Sequence, residues 1–151
     1  MLSGMLRIAD SHRRALLSHS ERAYPAECCG VLLGQRCGED LEVRAVVACT
    51  NQALRKTTRY EIPPRDLLCA QKLARAARHE IIGFYHSHPE HDAVASKSDV
   101  DEAFWSDAAY VIIPVKKAHA GEMRAYRCVV ENGTRLLREE PHGVAEAATM
   151  A

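Results

Sequence analysis

Two histidines spaced two apart, followed at a fixed interval by a serine and an aspartate, are the residues of this chain best suited to chemistry. The run is His86-Ser-His88, then seven residues from Pro89 to Ala95, then Ser96 and Asp99. It follows Ile81–Tyr85 (IIGFY), a continuous apolar stretch that reads as a central strand. Residues i and i+2 of a strand share a face and lie about 6.6 Å apart along it, so two imidazoles there can converge on one ion. Pro89 ends the strand, and Ser98–Trp105 reads as a short helix. Asp99 falls in its acidic first turn, which the helix dipole favours, and can face back toward the histidines. Two histidines and a carboxylate form a zinc ligand set, and three protein ligands leave a fourth position open, as in catalytic sites. A structural zinc would instead require a fourth protein ligand, such as His91 or a cysteine. The other histidines, His12, His19, His79, His119 and His142, read as surface residues.

Hydrolysis at such a site also needs a base for the proton of the attacking water. The HExxH arrangement, which places that base beside its ligands, is absent. Glu27 is the candidate, within Pro25-Ala-Glu27-Cys-Cys-Gly30-Val-Leu-Leu-Gly34. A carboxylate at the entry to an apolar strand is costly unless it has a partner or a task.

The elements that must position these groups follow from pattern. Residues 9–23 form a helix that stops before Pro25; 28–35 and 41–50 are strands, with a third short one at 60–62. Pro63-Pro64 opens a helix running to about His79. Tyr110–Val115 is a strand whose Pro114 implies an edge or a strand end. Residues 123–131 and 134–138 pair as a hairpin across Asn132-Gly133. The fold class expected is α/β, a single domain over 5–140 with a mixed central sheet flanked by helices, and 141–151 a disordered tail.

With Glu27, His86, His88, Ser96 and Asp99 in view, the chain resembles the JAMM metalloproteases, the catalytically competent branch of the MPN domain. Their pattern is a Glu in PxExCGxLxG, then HxHP, seven residues, Ser, two residues, Asp, and the spacing is met without a gap. A shuffled chain of this composition would show HxH-x7-SxxD about once in a thousand cases. The resemblance implies the MPN fold, one Zn2+ held by His86, His88 and Asp99, and Glu27 as general acid/base. It implies that Ser96 hydrogen-bonds the developing oxyanion or positions the water, and Ser96 also reads as a helix N-cap. Ala95 departs from the Pro that many members carry before this Ser. The implied activity is zinc-dependent hydrolysis of a peptide or isopeptide bond after the C-terminal tail of a ubiquitin-like or sulfur-carrier protein. Only 52 residues follow Asp99, which fits a compact prokaryotic member. The alternative is a noncatalytic MPN scaffold that binds partners.

Composition narrows the rest. The chain has 151 residues, 20 basic and 20 acidic, so a nucleic-acid partner is not expected. Hydrophobic residues at 47% suit a globular core, and no apolar run approaches the roughly 18 residues of a membrane span. With no signal-peptide pattern at the start, a cytoplasmic protein is expected, as a monomer or homodimer. Six cysteines without a CxxC pair read as small buried hydrophobes rather than disulfides. Charge is uneven: residues 51–80 hold seven basic against three acidic groups, and 90–107 hold six acidic against Lys97. That polarity reads as two solvated faces or as a surface that steers a charged protein partner.

Overall fold

The structure, a computed structural model, describes residues 4–144. In chain order the elements are β1 (Leu6–Arg7), α1 (Asp10–Ala23), β2 (Cys29–Cys37), β3 (Asp40–Cys49), α2 (Pro64–Ala76) and β4 (Glu80–Pro89). There follow α3 (Lys97–Asp101), β5 (Ala109–Lys116), β6 (His119–Ala120), β7 (Arg124–Glu131), β8 (Thr134–Glu140) and β9 (His142–Gly143). The strands make one nine-stranded mixed sheet in the order β8-β7-β5-β4-β2-β3-β1-β9, with β6 on β5. β4 runs antiparallel to β2 and parallel to β5, so the strand carrying both histidines is central.

Each face of the sheet carries its own core. Leu32, Tyr85, Val111 and Ile113 pack on one side with Leu16 of α1. Val31, Leu33, Phe84, Tyr110 and Ile112 pack on the other with Ala70 and Ala74 of α2, and with Ala93, Ala103 and Ala108. The period of two along β4 sends His86 and His88 to the same side as Phe84. The two histidines therefore lie on the α2 face of the sheet, the face that also packs Ala93 and Ala103 on either side of α3. At Gly30 a Cβ would come within 2.2 Å of the Tyr85 ring, so only glycine lets that ring pack over β2.

The observed elements correct the expected ones at several points. Residues 60–62 are not a strand. The Asn51 side chain takes over the backbone there: its Oδ1 accepts from Glu61 N at 3.1 Å and its Nδ2 donates to Arg59 O at 2.9 Å. The helix expected at 98–105 stops at Asp101, and α2 stops at Ala76, closed by Arg78 in the left-handed region (φ 60°). Pro114 lies in an inner strand, not at an edge, but near that strand's end, the other expected place. It is tolerated because β7 pairs with residues 109–112 and β6 with 115–116, so no strand requires an N–H from position 114, whose carbonyl accepts from Gly121 N at 2.7 Å. Residues 142–143, expected within a disordered tail from 141, instead form β9 in parallel with β1; residues 145–151 of that expected tail lie outside the described residues. Asn132 (φ 51°) and Gly133 (φ 77°) make the anticipated hairpin turn. All six cysteines are free, but only Cys28, Cys29 and Cys128 are buried, and Cys69 is exposed on α2. Among the described residues no helix is long and apolar enough to cross a membrane.

Candidate metal centre

His86, His88 and Asp99 converge. Their potential ligand atoms all lie within 4.8 Å of one another. The two Nε2 atoms are 3.3 Å apart, and each is 3.0 Å from an Asp99 oxygen, Oδ1 for His86 and Oδ2 for His88. Ligand atoms about 2.0–2.1 Å from a tetrahedral zinc stand about 3.3 Å from each other, so the set has the dimensions of such a site. The side chains are 2%, 10% and 8% exposed, respectively. No further His, Cys, Asp or Glu joins the group among the described residues, and His91 is exposed outside it. The arrangement thus matches the open three-ligand form and not the closed four-ligand one.

The surrounding contacts hold these atoms in place. His88 Nδ1 donates to Asp92 O at 2.8 Å, which leaves Nε2 turned toward Asp99. His86 is oriented differently: the Tyr60 ring stacks on it at 4.5 Å between centroids and 20° between planes. Asp99 is fixed by a reciprocal capping box, with Ser96 N donating to Oδ2 at 2.9 Å and Asp99 N donating to Ser96 Oγ at 3.1 Å. Ser96 is therefore the N-cap of α3, and its hydroxyl proton is free to point elsewhere.

Electrostatics mark the cluster as a place for positive charge. Burial alone would raise the Asp99 carboxyl, but hydrogen bonds from His86 and His88 outweigh it and hold the group far below the usual carboxylate range. Burial would lower His88, yet its bonds to Asp99 and to Asp92 O carry it upward. Both His88 nitrogens face acceptors, an arrangement that favours a cation at Nε2, either a proton or a metal ion. The donor set fits a metal ion that replaces that proton.

Glu27 and Ser96 line the same cleft as His88, a cavity of about 400 Å³ that also includes Asp92 and Val94. Glu27 is 7% exposed, and burial pushes its carboxyl up to about 8, opposed in part by His88. Its backbone is anchored to the loop after β3: Glu27 N bonds to Lys56 O, and Asn51 Nδ2 donates to Glu27 O at 3.0 Å. A second, apolar cleft of about 410 Å³ adjoins Tyr60 and is floored by Phe84 and Tyr110, with Phe104 and Trp105 at its rim. Asn51, Tyr60 and Asp92 support the site without appearing in the sequence pattern. Each acts through a backbone carbonyl, an amide bridge or a ring face, and none of these leaves a spacing signature.

The model of a family described as prokaryotic homologs of the JAB domain matches residues 9–129. The chain is 35% identical over 119 residues to the desampylase of Haloferax volcanii, spanning 74% of this chain and 82% of that one. It is 35% identical over 132 residues to the CysO-cysteine peptidase of Mycobacterium tuberculosis, spanning 87% and 86%. A solution structure of a protein from Desulfitobacterium hafniense superposes with a TM-score of 0.77 at 26% identity, covering 95% of this chain and 93% of that one. The match runs from α1 into β7 and includes every residue of the cluster, and on it the chain belongs to the prokaryotic homologues of the JAB domain.

Proposed function

We propose that the protein is a zinc-dependent peptidase that hydrolyses the peptide or isopeptide bond after the C-terminal tail of a ubiquitin-like or sulfur-carrier protein. The observation that carries this reading is the convergence of three ligand atoms beside a cleft that also contains the buried carboxyl of Glu27, which has no hydrogen-bond or ion-pair partner among the described residues. The names of the relatives support the substrate class: one is a desampylase and another a CysO-cysteine peptidase.

His86, His88 and Asp99 would hold the ion. A zinc there would supply Lewis-acid chemistry and lower the pKa of a water in its open position. Glu27 takes a proton from the attacking water and delivers it to the leaving nitrogen, so the proton count is unchanged over the cycle. The burial that raises its affinity for a proton suits both halves of that task. Ser96 donates its free hydroxyl hydrogen toward the scissile carbonyl oxygen as negative charge grows there. Tyr60 and the Asp92 carbonyl keep the imidazoles in place while this happens.

The reading is tested by zinc content and hydrolysis together, wild type beside His88→Ala. About one zinc per chain and cleavage of a carrier conjugate are expected in the wild type, with both lost in the variant. Cleavage that survives loss of zinc would overturn the proposal.

A further inference from the structure

The charge imbalance along the chain becomes specific once the ion pairs are placed. Outside residues 51–80, ten of thirteen basic side chains lie within ion-pair distance of a carboxylate among the described residues; the exceptions there are Arg22, Lys117 and Arg135. Within 51–80 one of seven does so among the described residues: Arg59, with Glu102. Arg55, Lys56, Arg65, Lys72, Arg75 and Arg78 are all exposed and have no carboxylate partner there. The nearby acids are engaged elsewhere. Asp66 accepts from Thr50 N, Glu61 from the Gln52 side chain, and Glu80 lies by Arg36.

The acidic run shows the opposite behaviour. Asp92 pairs with Lys116, Asp101 with Lys97, Glu102 with Arg59, and Asp107 with Arg36. Among the described residues, four of the six acids of the acidic tract thus meet a Lys or Arg, whereas six of the seven cations of the basic tract meet no carboxylate. This tract also exposes apolar surface: Leu54 is fully exposed, Leu68 51% and Leu73 54%. Arg65, Leu68, Lys72 and Arg75 fall on the exposed side of α2, opposite buried Ala70 and Ala74. The tract is continuous with the candidate site, because Lys56 O holds Glu27 N and Asn51 ties Glu27 to Arg59.

We infer that residues 54–78 are the docking surface for the folded body of the substrate carrier, and that this body presents an acidic face with an apolar centre. The inference rests on the proposed peptidase reading for the carrier, and on the unpaired charge for the surface. Cations interleaved with exposed leucines match a folded protein's surface better than a single-stranded nucleic acid, which would call for aromatic stacking platforms. Docking beside Glu27 puts the carrier's tail within reach of the metal-ligand cluster, and unpaired charge accelerates encounter with an acidic partner.

The test compares zinc-loaded wild type with Arg65→Glu/Lys72→Glu/Arg75→Glu. All three sites are exposed on α2, and Glu is a good helix former, so folding is retained. One probe is a peptide of a carrier tail with its leaving residue. The other is the same tail on a folded β-grasp carrier, prepared with its surface carboxylates intact and with them changed to amides. For the acidic folded probe KM is expected to rise about 10–100-fold at low salt while kcat holds. The peptide and the amide form are expected to change by less than about twofold, and about 0.5 M salt to bring wild type near the variant. Equal loss on the peptide and the folded probe, or a KM indifferent to both variant and salt, overturns the inference. Anisotropy of labelled acidic carrier on Glu27→Gln protein separates the two readings. Salt-sensitive binding lost in the triple variant, with neither probe cleaved by wild type, keeps the docking surface and removes the peptidase. Cleavage untouched by the variant does the reverse. Tighter, variant-sensitive binding of a single-stranded oligonucleotide would reassign the surface to nucleic acid and overturn the inference.

Discussion

Two buried charged clusters occupy different parts of the same sheet, and they differ in what their partners leave free. Arg127 on β7 and Glu140 at the end of β8 face each other at 2.9 Å, with side chains 9% and 4% exposed. The other Nη of Arg127 donates to Glu39 O at 3.3 Å and lies 3.7 Å from Asp107. Opposite charges meet there, and of the Arg127 nitrogens Nε alone has no hydrogen-bond partner among the described residues. At the end of β4, His86, His88 and Asp99 are buried to a similar degree, but three ligand atoms point at one place and Glu27 stands unpaired in the adjoining cleft. Burial of charge is common to both. Convergence of lone pairs beside an acid with no hydrogen-bond partner among the described residues is confined to one, and it separates a candidate reactive site from a structural pair.

The widest gap between the two clusters is expected from Glu27→Gln. Hydrolysis should fall about 10²–10⁴-fold while one zinc per chain is kept, since Glu27 is not among the ligands. Metal analysis beside an activity assay checks this, and a variant as active as wild type would remove Glu27 from the acid/base role. Arg127→Met should act in the opposite sense, costing about 3–5 kcal/mol of stability by stranding Glu140, with zinc affinity unchanged. Urea unfolding measures it. Arg127→Met/Glu140→Leu should recover much of the loss, and failure to do so would mean that the pair is not the source.

Ser96→Ala sharpens the boundary between structure and chemistry within one residue. Loss of the cap should cost about 1 kcal/mol of stability. Turnover should fall by more than that, about 10²-fold if the hydroxyl supports the developing oxyanion. Equal losses would leave the cap as a sufficient explanation.

The smallest effect concerns pH, and its sign differs between the clusters. Burial raises the Glu140 carboxyl, against the pull of Arg127. The folded protein then holds that proton more tightly than the unfolded chain, so this group's contribution to stability declines as pH rises from about 4.3 through the folded value. In metal-free protein Asp99 is depressed, so its contribution is present above about 3.9 and is lost as pH falls. Urea midpoints of metal-free Glu140→Gln and Asp99→Asn across the acid range should therefore depart from wild type in opposite directions. Parallel profiles would contradict the difference in partners.

The sequence by itself determined which atoms are available for chemistry. HxH on a strand fixes two imidazoles on one face because side chains alternate, and Ser96-x-x-Asp99 fixes a capping geometry because the first turn of a helix has a set shape. The apolar runs that became β2, β4 and β5, and the Asn-Gly turn between β7 and β8, were legible for the same local reasons. The contacts that complete the site were not. Tyr60 reaches His86 only because Asn51 satisfies the backbone of residues 59–61 and keeps that segment out of the sheet. Glu27 meets a cluster some sixty residues further along the chain only because β2 pairs antiparallel with β4 and sets Cys29 opposite His86. The unpaired state of the basic tract depends likewise on where every carboxylate ends up. Alternation and capping are short-range and therefore written locally. Which side chains meet across strands, and which charges find no partner, is decided by long-range packing, and only the folded chain supplies that.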